Sequence, residues 1–227
     1  TSQPLAQGIF QFDASHIYLD DNVTGTAADI NSIVVSIEED FQTDNSVEDI
    51  LPIPVADVAP ILLIDPVTGI NEDGIATLTG TITDPGTLDT FTLLVDWGDG
   101  RTPANVTTHT YDASATGSQE FTLSHTYLDD DPTATASDIY AITATVTDDD
   151  TGEASANTTV AVNNIAPTLA LDPVATIAEN GTATLTGTIS DPGTLDTFTL
   201  VVDWGDPLSP DNITTHTYQP RATGTQG

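Results

Sequence analysis

Gly74 to Gly100 read GIATLTGTITDPGTLDTFTLLVDWGDG, and this stretch decides the fold of the chain. It returns at Gly181 to Pro207 as GTATLTGTISDPGTLDTFTLVVDWGDP, with 23 of 27 positions identical and a spacing of 107 residues. That spacing is the length of one compact domain. The sequence therefore predicts a tandem array of a single domain type.

The quoted stretch has the pattern of two β-strands joined by a turn. In the first strand, threonines alternate with Leu78, Gly80 and Ile82, which is the period of a strand buried on one face. The segment 84–86, Asp-Pro-Gly, supplies the turn, because Pro presets one corner and Gly tolerates positive φ. The inward face of the second strand consists of Phe91, Leu93, Val95 and Trp97. We expect Trp97 and its repeat Trp204 to be buried anchors of a core.

Matches elsewhere in the chain divide it into three parts. Residues 12–21 match residues 121–130 at a shift of 109, and the prolines at 60 and 167 open equivalent segments. Residues 1–58 are therefore predicted to be the C-terminal half of a domain. Residues 59–165 form one complete domain, and residues 166–227 form the N-terminal half of another.

The complete domain is predicted to be all-β, because no helical period appears in it. Its strands are predicted at 76–83, 91–97, 106–111, 120–127, 139–147 and 156–163. Thr and Val dominate these runs, as is typical of half-buried pleated surfaces. Short strands with Pro, Gly and Asp turns at this density indicate a β-sandwich.

The composition is strongly acidic, with 28 Asp and 7 Glu against two arginines and a formal net charge of −33. Such a surface repels nucleic acid and anionic membranes, so we expect neither as a partner. No apolar run approaches the roughly 20 residues of a membrane span, so we expect no membrane insertion. The charge also repels itself unless salt or divalent cations screen it. Adaptation to saline water, or solubility alone, is an alternative explanation of the bias.

The order of motifs resembles that of the polycystic kidney disease (PKD) domain. Trp97-Gly98-Asp99-Gly100, then His125-Thr126-Tyr127, then the strand Tyr140 to Asp148 follow the family's pattern. The second copy departs from it with Asp206-Pro207, and the insert at 101–120 is long for the family. The resemblance implies tandem immunoglobulin-like sandwiches, as in giant bacterial surface adhesins and extracellular fibre proteins. It also implies calcium in some loops.

Acidic loops are the candidate metal sites. Ca²⁺ takes six to eight oxygens, which a turn provides by adding backbone carbonyls to two or three carboxylates. The candidate ligands in three loops are Asp96 and Asp99; Asp129, Asp130, Asp131 and Asp138; and Asp148, Asp149 and Asp150. The resemblance adds Glu72 and Asp73, near Asp96 and Asp99. None of these loops has the EF-hand spacing, and the alternative is that the carboxylates cap turns in solvent.

No catalytic motif appears in the sequence, and we expect no enzyme. The carboxylate pairs recur from repeat to repeat, whereas a catalytic pair needs a pocket made once. All four histidines lie in His-x-Tyr triples, which we interpret as strand sequence with hydrogen-bonded side chains.

The function predicted is that of an extracellular or cell-surface structural protein, part of a filament, stalk or adhesin stabilised by Ca²⁺. The alternative is a carbohydrate- or protein-binding spacer module of a secreted protein. The two terminal halves are complementary. We expect each to be completed either by flanking repeats of a longer chain or by a second copy joined head to tail, which makes a filament.

Overall fold

A computed structural model of the chain describes residues 3–6, 8–21, 24–38, 46–102, 104–130, 133, 135–220 and 225–226. Every regular element in these ranges is a β-strand, so the all-β prediction is confirmed. Among the described residues, no helix has the length and apolar character needed to cross a bilayer.

The N-terminal segment consists of two antiparallel strand pairs. Its strands are β1 (Gln3–Ala6), β2 (Ile9–Gln11), β3 (Ala28–Glu38) and β4 (Ser46–Ala56). Strands β3 and β4 pair from Ala28 opposite Ala56 to Glu38 opposite Ser46. Both faces of this pair are largely exposed, because only Asp29 on them is fully buried.

The central segment contains two sheets. Its strands are β5 (Ile61–Ile64), β6 (Ile70–Asn71), β7 (Gly74–Thr83), β8 (Phe91–Asp96), β9 (Val106–Tyr111), β10 (Ser118–Tyr127), β11 (Ser137–Asp148) and β12 (Glu153–Asn163). One sheet has the order β10-β7-β5 and the other the order β6-β12-β11-β8-β9. All neighbours are antiparallel except β6 and β12, which run parallel.

A single core lies between these two sheets, which is the arrangement of a β-sandwich. Alternate residues of β7 and β10 face alternate residues of β8, β11 and β12, as the period of two in the sequence predicts. The largest fully buried apolar side chains are Leu78, Ile82, Leu93, Val95, Trp97, Tyr127, Ile142, Val146, Val160 and Val162.

The C-terminal segment repeats the first pairings of the central one. Its strands are β13 (Thr168–Leu171), β14 (Gly187–Ser190), β15 (Phe198–Asp203), β16 (Ile213–Tyr218) and β17 (Thr225–Gln226). Strand β14 pairs with β13 and β17 as β7 pairs with β5 and β10, and β15 pairs with β16 as β8 pairs with β9.

The two tryptophans differ in burial. Trp97 is 0% exposed, so its prediction as a core anchor is confirmed, whereas Trp204 is 40% exposed and the same prediction is wrong for it. In the central segment, His125 of β10 stacks on Trp97 with ring centroids 5.4 Å apart. Among the described residues of the C-terminal segment, only β17 corresponds to any part of β10, β11 or β12. Trp204 therefore lies on an uncovered apolar face.

Candidate metal centres at the two junctions

The Asp-Pro-Gly turn positions one carboxylate in the same way in both copies. Asp84 accepts a hydrogen bond at Oδ1 from the Gly86 amide, at 2.7 Å, and Asp191 accepts one from Gly193 at 2.8 Å. This is an Asx turn, which the sequence Asp-x-Gly favours. The second oxygen of each side chain, Oδ2, is buried and has no hydrogen-bond partner among the described residues.

Each of these turns contacts the segment that precedes it in the array. The Thr87 amide donates to the Leu19 carbonyl at 3.2 Å, and the Thr194 amide donates to the Leu128 carbonyl at the same distance. Leu19 and Leu128 both precede a pair of aspartates, Asp-Asp, at equivalent positions. The repeated contact therefore brings an acidic turn of one unit against the acidic end of the unit before it.

Seven carboxylates lie at the contact between the N-terminal and central segments. We call them the first junction cluster: Asp20, Asp21, Asp57, Asp84, Asp89, Asp148 and Asp150. Oxygens of Asp20, Asp89 and Asp150 all lie within 4.8 Å of one another. The same holds for Asp57, Asp89 and Asp148. Asp148 ends β11 and Asp150 lies in the turn that follows, where Asp148 Oδ1 accepts from the amides of Asp150 and Gly152.

Five carboxylates lie at the contact between the central and C-terminal segments. We call them the second junction cluster: Glu72, Asp129, Asp130, Asp191 and Asp196. Oxygens of Glu72, Asp191 and Asp196 lie within 4.8 Å of one another, and so do those of Glu72, Asp129 and Asp130. Glu72 follows β6, and its Oε1 accepts from the Ile165 amide at 2.6 Å. Its other oxygen points into the cluster and, in the described part of the chain, has no hydrogen-bond partner.

Buried carboxylate oxygens without a partner are the main electrostatic feature of both clusters. The chain has no lysine and only two arginines that could neutralise them. Burying an ionised carboxylate without a partner is costly, so such groups take up a proton or a cation. The oxygens without a hydrogen-bond partner in the described ranges belong to Asp20, Asp21, Asp84, Asp89, Asp148 and Asp150 at the first junction, and to Glu72 and Asp191 at the second.

The pKa values of several carboxylates in both clusters are raised for this reason. Burial, assisted by the charges of Asp191 and Asp196, raises the pKa of Glu72 to about 7. Burial and neighbouring carboxylates raise the pKa of Asp150 and of Asp196 to about 6. Asp89 also has a raised pKa, because it is buried and lies against Asp20 and Asp84. At pH values below these pKa values, protons therefore neutralise part of the negative charge of the two clusters.

The chemistry of the donors indicates which cation fits. Both clusters consist only of carboxylates, hard oxygen ligands that select Ca²⁺, Mg²⁺ or Mn²⁺ over softer metals. Mg²⁺ demands near-ideal octahedral geometry and retains several waters, whereas Ca²⁺ accepts many carboxylates in flexible arrangements. Dense carboxylates from separate loops therefore fit Ca²⁺ best.

The structure brings together five of the eleven predicted metal ligands. Glu72, Asp129 and Asp130 lie in the second junction cluster, and Asp148 and Asp150 lie in the first. Glu72 was predicted to lie near Asp96 and Asp99, but the described residues group it with Asp129, Asp130, Asp191 and Asp196 instead.

Four other predicted ligands form hydrogen bonds outside the close groups of carboxylates. Asp96 accepts from Gly98 and Asn105, and Asp149 is exposed and accepts from the Thr90 amide. Asp138 accepts from the amide and hydroxyl of Thr133. Asp99 Oδ2 lies 3.0 Å from His125 Nε2, in a buried pair under Trp97.

Asp73 and Asp131 are the last two predicted ligands. Asp73 occupies an exposed turn at φ 56°, and Asp131 lies outside the described residues. A metal role for each of the eleven residues stays a prediction.

Seven members of the clusters were not among the predicted ligands: Asp20, Asp21, Asp57, Asp84, Asp89, Asp191 and Asp196. A signal for six of them was present. Asp84 and Asp89 recur as Asp191 and Asp196, and Asp20 and Asp21 recur as Asp129 and Asp130. A turn role explains the Asp in Asp-Pro-Gly, but it does not explain the repeated Asp five residues later.

Neither models of known protein families nor curated proteins gave a match to this chain.

Proposed function

We propose that this chain is part of an extracellular structural or adhesive array of PKD-like sandwiches whose junctions bind Ca²⁺. The observation that carries the proposal is that one acidic junction is built twice. Each copy has the same turn, the same backbone contact between units and a buried carboxylate oxygen without a hydrogen-bond partner among the described residues.

Ca²⁺ at such a junction sets its stiffness. Two like charges 4 Å apart repel by about 4 kcal/mol at an effective dielectric constant of about 20. Without a cation, the carboxylates of neighbouring units therefore push the units apart. With Ca²⁺ bound, the same carboxylates hold loops of both units on one ion. Extracellular modules typically bind Ca²⁺ with dissociation constants of about 10⁻⁴–10⁻³ M, so an array outside the cell would be loaded.

The uncovered face of the C-terminal segment supports the array. An apolar groove there is lined by Leu169, Leu171, Leu185, Ile189, Leu200, Val202 and Trp204. In the central segment, the equivalent face is covered by Ile142, Ala144 and Val146 of β11. The sequence matches place Ile33, Val35 and Ile37 of β3 at these positions.

Strands of the second half of the repeat therefore fit this groove. They come either from flanking repeats of a longer chain or from the N-terminal segment of a second copy. Boiling in detergent with chelator separates the two sources. A single band near 23.7 kDa from a large native assembly indicates non-covalent joining of copies. An assembly that stays large after boiling indicates one continuous polypeptide.

Small-angle scattering of the chain with Ca²⁺ and with chelator, at fixed ionic strength, tests the stiffening. We expect Ca²⁺ to narrow the distribution of interatomic distances, because loops of adjoining units are fixed on shared ions. The double variant Glu72→Gln, Asp89→Asn should lose this response. The variant Asp112→Asn, at an exposed position outside both clusters, should keep it. Identical scattering curves in Ca²⁺ and chelator would overturn the proposed function.

A further inference from the structure

The number of ions at each junction follows from how the carboxylates are shared, if the proposed function holds. At the first junction, the two close groups have one member in common, Asp89. The other four carboxylates divide into two pairs, Asp20 with Asp150 and Asp57 with Asp148. Each pair combines one residue of the N-terminal segment with one residue from the end of β11 or from the turn that follows it.

One ion does not satisfy all five carboxylates. Ca²⁺ binds oxygens at about 2.3–2.6 Å, so ligands on opposite sides of one ion are about 4.6–5.2 Å apart. The oxygens lie within 4.8 Å of one another as two groups of three that share only Asp89, which is the span of two Ca²⁺ shells with one ligand in common. A single ion would also leave three of the five negative charges without compensation.

Asp89 is placed to serve two ions. It is 2% exposed, and its Oδ1 has no hydrogen-bond partner within the described ranges. A carboxylate has two oxygens with about four lone-pair sites, so one side chain can contact two cations. The Asx turn at Asp84, followed by residues 87–89, fixes Asp89 against the preceding unit through the contact of Thr87 with Leu19.

The second junction also has two close groups that share one carboxylate, although each of its remaining pairs comes from a single unit. Its two groups share Glu72, which is 3% exposed, and the remaining carboxylates divide into Asp191 with Asp196 and Asp129 with Asp130. Glu72 Oε2 has no hydrogen-bond partner in the part of the chain that the structure describes. The glycine at 193 leaves room there, because a Cβ at this position would collide with Glu72 Oε2 and Asp196 Oδ2.

We propose that each junction binds a pair of Ca²⁺ ions bridged by one shared carboxylate, Asp89 at the first junction and Glu72 at the second. At the first junction, Asp20 and Asp150 complete one site and Asp57 and Asp148 complete the other. At the second, Asp191 with Asp196 and Asp129 with Asp130 complete the two sites. The chain then binds four ions.

Counting bound Ca²⁺ by equilibrium dialysis and native mass spectrometry of the full chain tests this inference. Wild type should bind four ions above the weak background. Asp89→Asn should lose the two ions of the first junction, and Glu72→Gln the two ions of the second. Asp57→Asn should lose one ion only, and Asp112→Asn none. Circular dichroism of each variant checks that it is folded. If a bridging variant is unfolded, Asp57→Asn still tests the pair of ions at the first junction.

The possible outcomes separate the inference from the proposed function. Two ions in wild type, or loss of a single ion in Asp89→Asn and in Glu72→Gln, would overturn the bridged pairs and leave junction binding intact. No saturable binding in wild type would overturn the proposed function itself. Four ions in wild type, with loss of two in a bridging variant and of one in Asp57→Asn, would establish the pairs.

Discussion

At the residue scale, the motifs that define the repeat form one buried group in the central segment. The Trp97 indole donates to Thr107 Oγ1 at 2.9 Å, and the Trp97 carbonyl accepts from the Tyr127 hydroxyl at 2.7 Å. His125 stacks on the indole and pairs with Asp99. The Trp-Gly-Asp-Gly and His-Thr-Tyr motifs are therefore explained by packing within the sandwich.

The burial of Trp97 sets the expected cost of removing it. Trp97→Ala should lower the free energy of unfolding by roughly 3–5 kcal/mol, because a large cavity opens in a small core. Trp204→Ala is the matched control. Its indole makes the same bond to Thr214 but is 40% exposed, so the loss should be much smaller. Urea unfolding followed by circular dichroism measures both, because the remaining tryptophan of each variant lies in the other segment, and equal losses would contradict the difference in burial.

At the element scale, the strands were more predictable than the sites. All six predicted strands of the central segment are present, with ends shifted by up to three residues, because alternation is a local property. Strands β5 and β6 were missed, since Ile61–Ile64 has no alternation and Ile70–Asn71 is only two residues long. The ability of Asp84 or Asp89 to meet Asp20 depends on how one unit packs against the next, which no local pattern encodes.

The turn before β15 gives a prediction at this scale. Gly193→Ala should weaken Ca²⁺ binding at the second junction about 10–100-fold, the usual effect of displacing groups that orient metal ligands. The reason is that the added Cβ would displace the carboxylates of Glu72 and Asp196. Gly100→Ala is the control, because a Cβ there meets nothing within 4 Å. Calorimetric titration measures the affinities, and unchanged binding in Gly193→Ala would contradict this prediction.

At the scale of the whole molecule, the raised pKa values predict how stability depends on pH. The pKa of Glu72 rises from 4.5 to about 7, and that of Asp150 from 3.8 to about 6. Protons on these groups stabilise the folded state fully below the unfolded values. That contribution is lost as the pH rises through about 6 and 7. In chelator, the protein should therefore be less stable at pH 8 than at pH 5.

With Ca²⁺, the dependence should weaken or reverse, because the ion binds the ionised carboxylates and competes with protons. Denaturant midpoints at the two pH values, in chelator and in Ca²⁺, measure the effect. The double variant Glu72→Gln, Asp89→Asn separates the clusters from the general surface charge. If this variant shows the same pH dependence as wild type in chelator, the clusters are not its cause.

The buried carboxylates at the junctions are proposed to hold Ca²⁺ and to stabilise the folded array. The most direct test is thermal unfolding by calorimetry, in Ca²⁺ and in chelator, at fixed ionic strength. Ca²⁺ at a hundredfold excess over its dissociation constant should add about 2.7 kcal/mol for each site. For a chain of this length, one such site raises the unfolding midpoint by about 5–10 °C. A midpoint that is higher in Ca²⁺ for wild type, but not for Glu72→Gln, Asp89→Asn, is the predicted result. The same midpoint for wild type in Ca²⁺ and in chelator would contradict the claim.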